Sequence, residues 1–385
     1  MKYLIEMTPI DSYAFSGESS FLNPGETKTR RSSYHVDSEL LPPQTTVLGT
    51  LRRCLLEWNK LFRDDKQYSE HEKEEMKKLI GAQPFQIDSM KFELGAIKGI
   101  SCLFLTQRTQ DEEGREKEHW LFPIPKNAKQ NEKAMQYKAM PWDRQKMEDN
   151  EISLKGYDVK EYLASGFVAV PFSRYDALPA AGVEAVFANG LKTSALIPQH
   201  DIFISYQQSA VRKVEDDKEK GYRLHERVVF NRNNGKFAFA VLAEIDEEKL
   251  MEGTWPLVVS MGARGSLFEV QATPVRQAAP EEKTALPQKE CCIAVLSPLA
   301  LPDDWRDKVA FAIISKQKIR QMVPIPNSSY AYQHDTTLRY FAAPGSVLYL
   351  KAEDAQAFLD EVHQNEYLYK AGFNHMIMMD GEELA

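Results

Sequence analysis

The chain has 385 residues, of which 43% are hydrophobic and 27% charged, a balance that lets a core form at a length suited to two domains. Its net charge of −8 excludes nucleic-acid binding driven by a global positive field, so any RNA or DNA contact must come from a local basic patch. No apolar stretch approaches the ~20 residues of a membrane span, and the N-terminal apolar run is too short and polar for a signal peptide.

Residues 3–8 alternate as a first strand that Pro9 ends. Residues 16–43 are rich in Gly, Ser, Pro and Asn, carry Lys28, Arg30, Arg31 and His35, and read as one long loop. Thr45 or Thr46 then caps a helix whose apolar face uses Val47, Leu48, Leu51, Leu55 and Trp58. The adjacent Arg52 and Arg53 cannot both share that face, so at least one points to the loop or to solvent.

Residues 64–78 suit a charged surface helix, and 92–106 a strand pair broken at Gly95 and Gly99. The charged stretch 126–155 reads as an insertion with weak structure of its own, ordered by a partner. Residues 206–230, with VRKVEDDKEKGYR inside, suit an exposed hairpin or loop tip. The four cysteines, Cys54, Cys102, Cys291 and Cys292, have no metal-ligand spacing and are expected as buried, reduced thiols of a cytoplasmic protein.

A pattern recurs late in the chain. From Gly235 and again from Gly345, a glycine precedes an apolar strand, Asp246 or Asp354 starts a short amphipathic helix, and Gly262 or Gly372 precedes a last strand. Each is the second half of a βαββαβ unit. The first halves come from 3–8 with the helix at 46–58, and from 291–297 with 311–315. The expected fold is α+β: tandem ferredoxin-like (RRM-like) βαββαβ domains with loop and helical insertions. They would span 1–275 and 288–385, joined by an Ala, Pro, Gln and Glu-rich linker at 271–289.

Four stretches, MKYLIEMTPIDSYAFSGE, LPPQTTVLGTLRRCLLE, VSMGARGSLFEV and FAAPGSVLYLKAED, occur in that order along nearly the whole chain. Together the chain resembles the RAMP superfamily of CRISPR proteins, specifically the third Cmr subunit of type III-B RNA-guided effector complexes. The second stretch resembles the family's proline, short polar residues and Gly-x-x-Arg, with Gly49 and Arg52 in those places. The third departs from the usual Gly-Gly-Glu-Arg, having Met261, Gly262, Ala263 and Arg264. Gly372, Phe373 and Asn374 replace a more glycine-rich ending. The resemblance implies a non-catalytic subunit that holds the 5′ tag of the guide RNA, docked between the large palm-domain CRISPR subunit and the backbone RAMP subunits.

The residues suit that chemistry. Single-stranded RNA needs cations for phosphate, planes for stacking and close backbone approach. Gly262 and Gly265 would permit the approach, and Arg264 between them would add a phosphate contact. Thr45, Thr46, Arg52 and Arg264 would form one patch at the helix start, with Gly49 permitting close approach and Arg52 or Arg53 supplying the charge; Arg30, Arg31, His334 and His375 are further RNA candidates. The alternative is a metal-independent RAMP endoribonuclease processing guide precursors, with His35 as base and a second His or Lys as acid. No P-loop, GxSxG, HExxH or two-metal carboxylate cluster is present, and no cofactor or metal is expected.

Overall fold

A computed structural model of the chain describes residues 2–22, 33–63, 67–83, 85–88, 93–131, 136–139, 166–171, 191–192, 196–211, 222–246, 256–262, 265–275, 291–319, 322–324, 332–334, 338–350 and 352–380. The first part contains β1 (Lys2–Pro9), β2 (Phe15–Leu22), β3 (Ser33–Glu39), α1 (Gln44–Trp58), α2 (Glu70–Ile80), β4 (Ile97–Ile100), β5 (Phe104–Gln110) and β6 (Glu116–Pro123). Next come β7 (Ala128–Asn131), β8 (Gln136–Ala139), β9 (Gly166–Pro171), β10 (Leu191–Lys192), β11 (Leu196–Pro198), the single turn α3 (Gln199–Ile202), β12 (Phe203–Val211) and β13 (Tyr222–Phe230). Then follow β14 (Lys236–Ile245), β15 (Leu257–Ser260), β16 (Leu267–Val275), β17 (Cys291–Val295), α4 (Trp305–Lys308), β18 (Val309–Ile313) and β19 (Lys316–Ile319). The chain closes with β20 (Met322–Pro324), β21 (Tyr332–His334), β22 (Arg339–Ala342), β23 (Val347–Leu350), α5 (Ala352–Gln364), α6 (Glu366–Lys370) and β24 (Met376–Asp380).

The fold is α+β and rich in strands. The main sheet runs β11-β9-β6-β5-β14-β1-β16-β15, with β4 also pairing β14. At its centre β1 lies antiparallel to both β14 and β16. The C-terminal sheet runs β18-β23-β17-β24, all antiparallel. Alternation on the main sheet sends Tyr3, Ile5 and Met7 of β1 with Phe237, Phe239 and Val241 of β14 to one face, where they meet Val47, Leu51, Leu55 and Trp58 of α1. That core also takes in Phe341, Leu368 and Phe373 from the C-terminal part, so the two parts of the chain share one apolar interior. A smaller core gathers Ile293, Leu348, Leu350, Phe358 and Val362 beneath α5.

Several expectations change. The stretch expected as one loop at 16–43 instead supplies β2 and β3, which pair antiparallel with a bulge between Ser16 and Ser19. Gly17, a loop signal in the sequence, sits in that bulge, where an extra residue needs conformational freedom. β3 also runs parallel to β13, a long-range partner no local pattern announces. Residues 23–32, with Lys28, Arg30 and Arg31, lie outside the described residues. Gly99 falls within β4 and does not break a strand; the interruption is at 101–103, where the Ser101 hydroxyl accepts from Leu242 N–H.

The insertion from 126 opens with the β7–β8 pair, to which β10 adds; 140–165 lie outside the described residues. The first five residues of the expected linker continue β16, because Gln271–Val275 finds ladder partners in β1. The charged helix expected near 64–78 is α2, started by a capping box of Ser69 and Glu72. The 206–230 hairpin is β12–β13, in register from Phe203↔Phe230 to Val211↔Tyr222. Cys54, Cys102 and Cys292 are buried thiols outside any disulfide, and burial pushes the Cys54 and Cys102 thiols up to about 12. Among the described residues no helix is long and apolar enough to cross a membrane.

A candidate nucleic-acid interface at helix α1 and the glycine turn

Helix α1 enters from Pro43, whose carbonyl accepts from Thr46 and Val47 N–H. Pro43 is the N-cap and no side chain caps the helix, so Thr45 and Thr46 lie inside its first turn, half-buried. The fixed proline φ orients the first turn before either hydroxyl is needed. Gln44 is buried and donates to the Ser101 carbonyl beside Gly372, so the helix start meets the 101 and 372 segments.

The adjacent arginines part company. Arg52 donates to the carbonyls of Glu93 (3.1 Å) and Gln83 (3.5 Å), and burial pulls its guanidinium down to about 10. The segment it braces docks on the C-terminal part: Phe85 stacks on Phe373 at 5.9 Å, and Arg339 forms a two-point ion pair with Asp88. Arg53 turns the other way. It donates from Nε to Glu57 (2.7 Å) and from Nη1 to Ser260 Oγ (2.7 Å), with its guanidinium 4.6 Å over the Phe62 ring.

Ser260 ends β15, and the turn from β15 to β16 is the glycine turn itself, closed by Met261 N–H to Ser266 O at 2.9 Å. The arginine that reaches this turn is therefore Arg53 and not Arg52. At ~100° per residue, Arg53 and Gly49 project within ~40° of each other, and Thr45 continues the same i, i+4 stripe. Gly49 is exposed, and a β-carbon placed on it would meet nothing within 4 Å.

The glycines of the turn differ. Gly262 has φ +79°, and an added β-carbon would lie 2.7 Å from the Ala14 carbonyl and from the Phe15 ring. Gly265 has φ +68° with nothing within 4 Å of that position. Gly262 thus serves the fold, while Gly265 and Gly49 leave backbone open to an approaching chain. Ala263 and Arg264 lie outside the described residues.

The remaining candidates sit elsewhere. His334 is in β21, opposite Met322. His375 stacks on Tyr369 at 4.3 Å, with Nε2 3.2 Å from the Tyr369 carbonyl, and its own carbonyl accepts from Leu296 and Ser297 N–H. Burial lowers its pKa from 6.5 to about 4. The unfolded chain therefore protonates first on acidification, so the stability tied to neutral His375 is complete above pH 6.5 and is lost as pH falls toward 4. His375→Phe, which keeps the stack, is expected to flatten the change in melting temperature across that window. A variant as acid-sensitive as the wild type would show that other groups set the response.

His35, on β3, pairs with Asp37 through Nδ1 at 2.8 Å, and its Nε2 lies 3.4 Å from Gln207 Nε2. Among the described residues no three His, Cys, Asp or Glu side chains cluster to hold a metal. Sequence reasoning missed Ser260, whose strand β15 lies between Asp246 and Gly262, where only a short helix is expected. It also missed Arg227, which binds Ser12 and Ser266 at the base of the turn. The i, i+4 spacing of Thr45, Gly49 and Arg53 is the signal that could have shown which arginine faces the turn.

A family model described as a CRISPR-associated protein (Cas_Cmr3) matches residues 5–380. Two cryo-EM structures align along the chain. One is the type III-B Cmr-beta bound to cognate target RNA, with 13% identity, TM-score 0.47, and 99% of this chain and 97% of that one covered. The other is the same assembly bound to cognate target RNA and AMPPnP in its state 1, with 13% identity, TM-score 0.47 and 100% of both chains covered. No curated protein matches the sequence.

Proposed function

The chain belongs to the Cas_Cmr3 family of CRISPR-associated proteins, and from that premise we propose that it is a non-catalytic RNA-binding subunit of a type III-B CRISPR interference complex. In this reading it holds the 5′ tag of the guide RNA and bridges the large palm-domain subunit to the backbone RAMP subunits. The observation that carries the RNA contact is the outward stripe of Thr45, Gly49 and Arg53, ending at Ser260 and the open Gly265 of the turn. Arg53 supplies charge, and Gly49 and Gly265 supply close approach. Such contacts fix the register of the RNA and need no chemistry at the bound strand.

The domain reading rests on strand order. Across the C-terminal sheet the order β18-β23-β17-β24 places the second, third, first and fourth strands of that unit side by side, and β5-β14-β1-β16 repeats the same order at the main sheet's centre. That order is the ferredoxin-like one and supports tandem units at 1–275 and 288–385.

Purifying the protein from its native cells and sequencing the bound RNA tests the function. RNAs with one constant repeat-derived 5′ end followed by varied sequence are expected, together with partner subunits. Clean protein without RNA would overturn the proposal. The endoribonuclease reading retains one observation in its favour, the His35–Asp37 pair. It requires that the wild type cleave a repeat RNA and that His35→Ala not do so; we expect no cleavage by either.

A further inference from the structure

The glycine turn is also held by Arg227 of β13. Its guanidinium donates from Nε to Ser12 Oγ (3.1 Å), from Nη2 to the Ser12 carbonyl (2.5 Å) and from Nη1 to Ser266 Oγ (3.4 Å). Both serines are buried, Ser12 8% and Ser266 3% exposed. Ser266 Oγ also accepts from Ala14 N–H at 3.3 Å, while the Ala14 carbonyl is the atom against which Gly262 is pressed. β13 is fastened beside this point by paired bonds between Tyr13 and Val228, each 2.9 Å, and by Glu226, which accepts from Ser38 N–H at 2.9 Å. One fork thus ties three pieces together: the β1–β2 connection, the last residue of the glycine turn and the β12–β13 hairpin.

We infer that Arg227 is a positioning residue that holds the glycine turn in its RNA-binding conformation without touching RNA. The inference rests on the RNA-binding reading above. Its physical basis is that three guanidinium nitrogens are committed internally, to the oxygens of two buried serines. A planar fork fixes the distance between Ser12 and Ser266 as a single-point lysine does not. Since Met261 N–H donates to the Ser266 carbonyl, fixing Ser266 fixes the two ends of the turn relative to each other.

The test uses the full chain in four variants: Arg227→Gln, Arg227→Lys, Ser266→Ala and the Gln–Ala double. Binding of a labelled single-stranded RNA with a CRISPR-repeat 5′ end is measured across a salt series, and amide hydrogen exchange is followed through residues 261–267. Each single variant is expected to lose about ten- to a hundredfold in affinity, the range of charge-assisted hydrogen bonds. The double is expected to lose no more than the worse single, because both remove one anchor. Exchange in the turn should quicken in all four. The slope of log affinity on log salt should stay at the wild-type value, since the phosphate contacts themselves are untouched.

A slope that falls in Arg227→Gln but not in Arg227→Lys, with Ser266→Ala unaffected, would make Arg227 a direct phosphate contact and overturn the inference. Unchanged exchange in the turn would overturn it as well. A wild type that binds no RNA overturns the RNA reading on its own, and the exchange measurement still decides whether Arg227 anchors the turn.

Discussion

Arg52→Ala is expected to lower the free energy of unfolding by about 2 kcal/mol, the range for hydrogen bonds donated by a charged group. Arg53→Ala is expected to cost about 0–1 kcal/mol, as for an ion pair that solvent reaches, and to weaken RNA binding. The division follows from where the two guanidinium groups go. Arg52 braces the segment carrying Gln83 and Glu93, and that segment seats Phe85 on Phe373 and Asp88 on Arg339. Without that brace the two parts of the chain are held together less firmly. Among the described residues Arg53 holds Glu57, Ser260 before the glycine turn and the Phe62 ring. Denaturant melts separate the first effect, and salt-titrated RNA binding the second. The salt slope should fall by about 0.7 for each phosphate that Arg53 neutralises and stay unchanged in Arg52→Ala. If Arg52→Ala released RNA at unchanged stability, the family's Gly-x-x-Arg position would be the RNA contact and this assignment would be reversed.

Helix α1 was legible because Val47, Leu48, Leu51, Leu55 and Trp58 recur at helical spacing, and all are buried where that spacing puts them. What the pattern leaves open is which flank of the helix meets which neighbour. Arg52 lies ~100° from the centre of the apolar face and Arg53 nearly opposite it, so both are off the core and either suits a ligand. The choice depends on β15, whose short run before the turn carries no signal that separates it from the following strand. β2 and β3 were missed for a related reason. Their serines and Gly17 read as loop, and their ladder bonds run to one another across residues 23–32 and to β13, far along the chain. The glycine at 345 was legible as a motif but not as a joint. Its φ is +84°, and an added β-carbon would stand 2.8 Å from the Ile124 carbonyl, where the two parts of the chain meet. Nearby, Asn127 donates to the Tyr349 hydroxyl at 2.9 Å, a buried contact that no local pattern announces. Arg227 had no signal at all, since its partners are fixed by tertiary contacts to Ser12 and Ser266.

The glycines give the sharpest contrast, because their alanine variants are expected to move stability in opposite directions. Gly262→Ala places a β-carbon on a left-handed backbone and 2.7 Å from the Ala14 carbonyl, a backbone atom that cannot swing aside. The strain of that conformation and the forced shift together predict a loss of about 2–4 kcal/mol. Gly265→Ala keeps the unfavourable φ of +68° but meets nothing within 4 Å, so a loss of about 1 kcal/mol is expected. Gly49→Ala is different in kind. It lies in a regular helix with open space around it, and alanine there should raise stability by about 1 kcal/mol. A helical glycine that its own protein does not need is explained if another chain must pass close to it. Gly49→Ala is therefore expected to melt later than the wild type and yet retain less guide RNA, with a larger residue at 49 retaining less still. A variant that is more stable and binds RNA as well as the wild type would leave the glycine without that explanation and remove Gly49 from the interface.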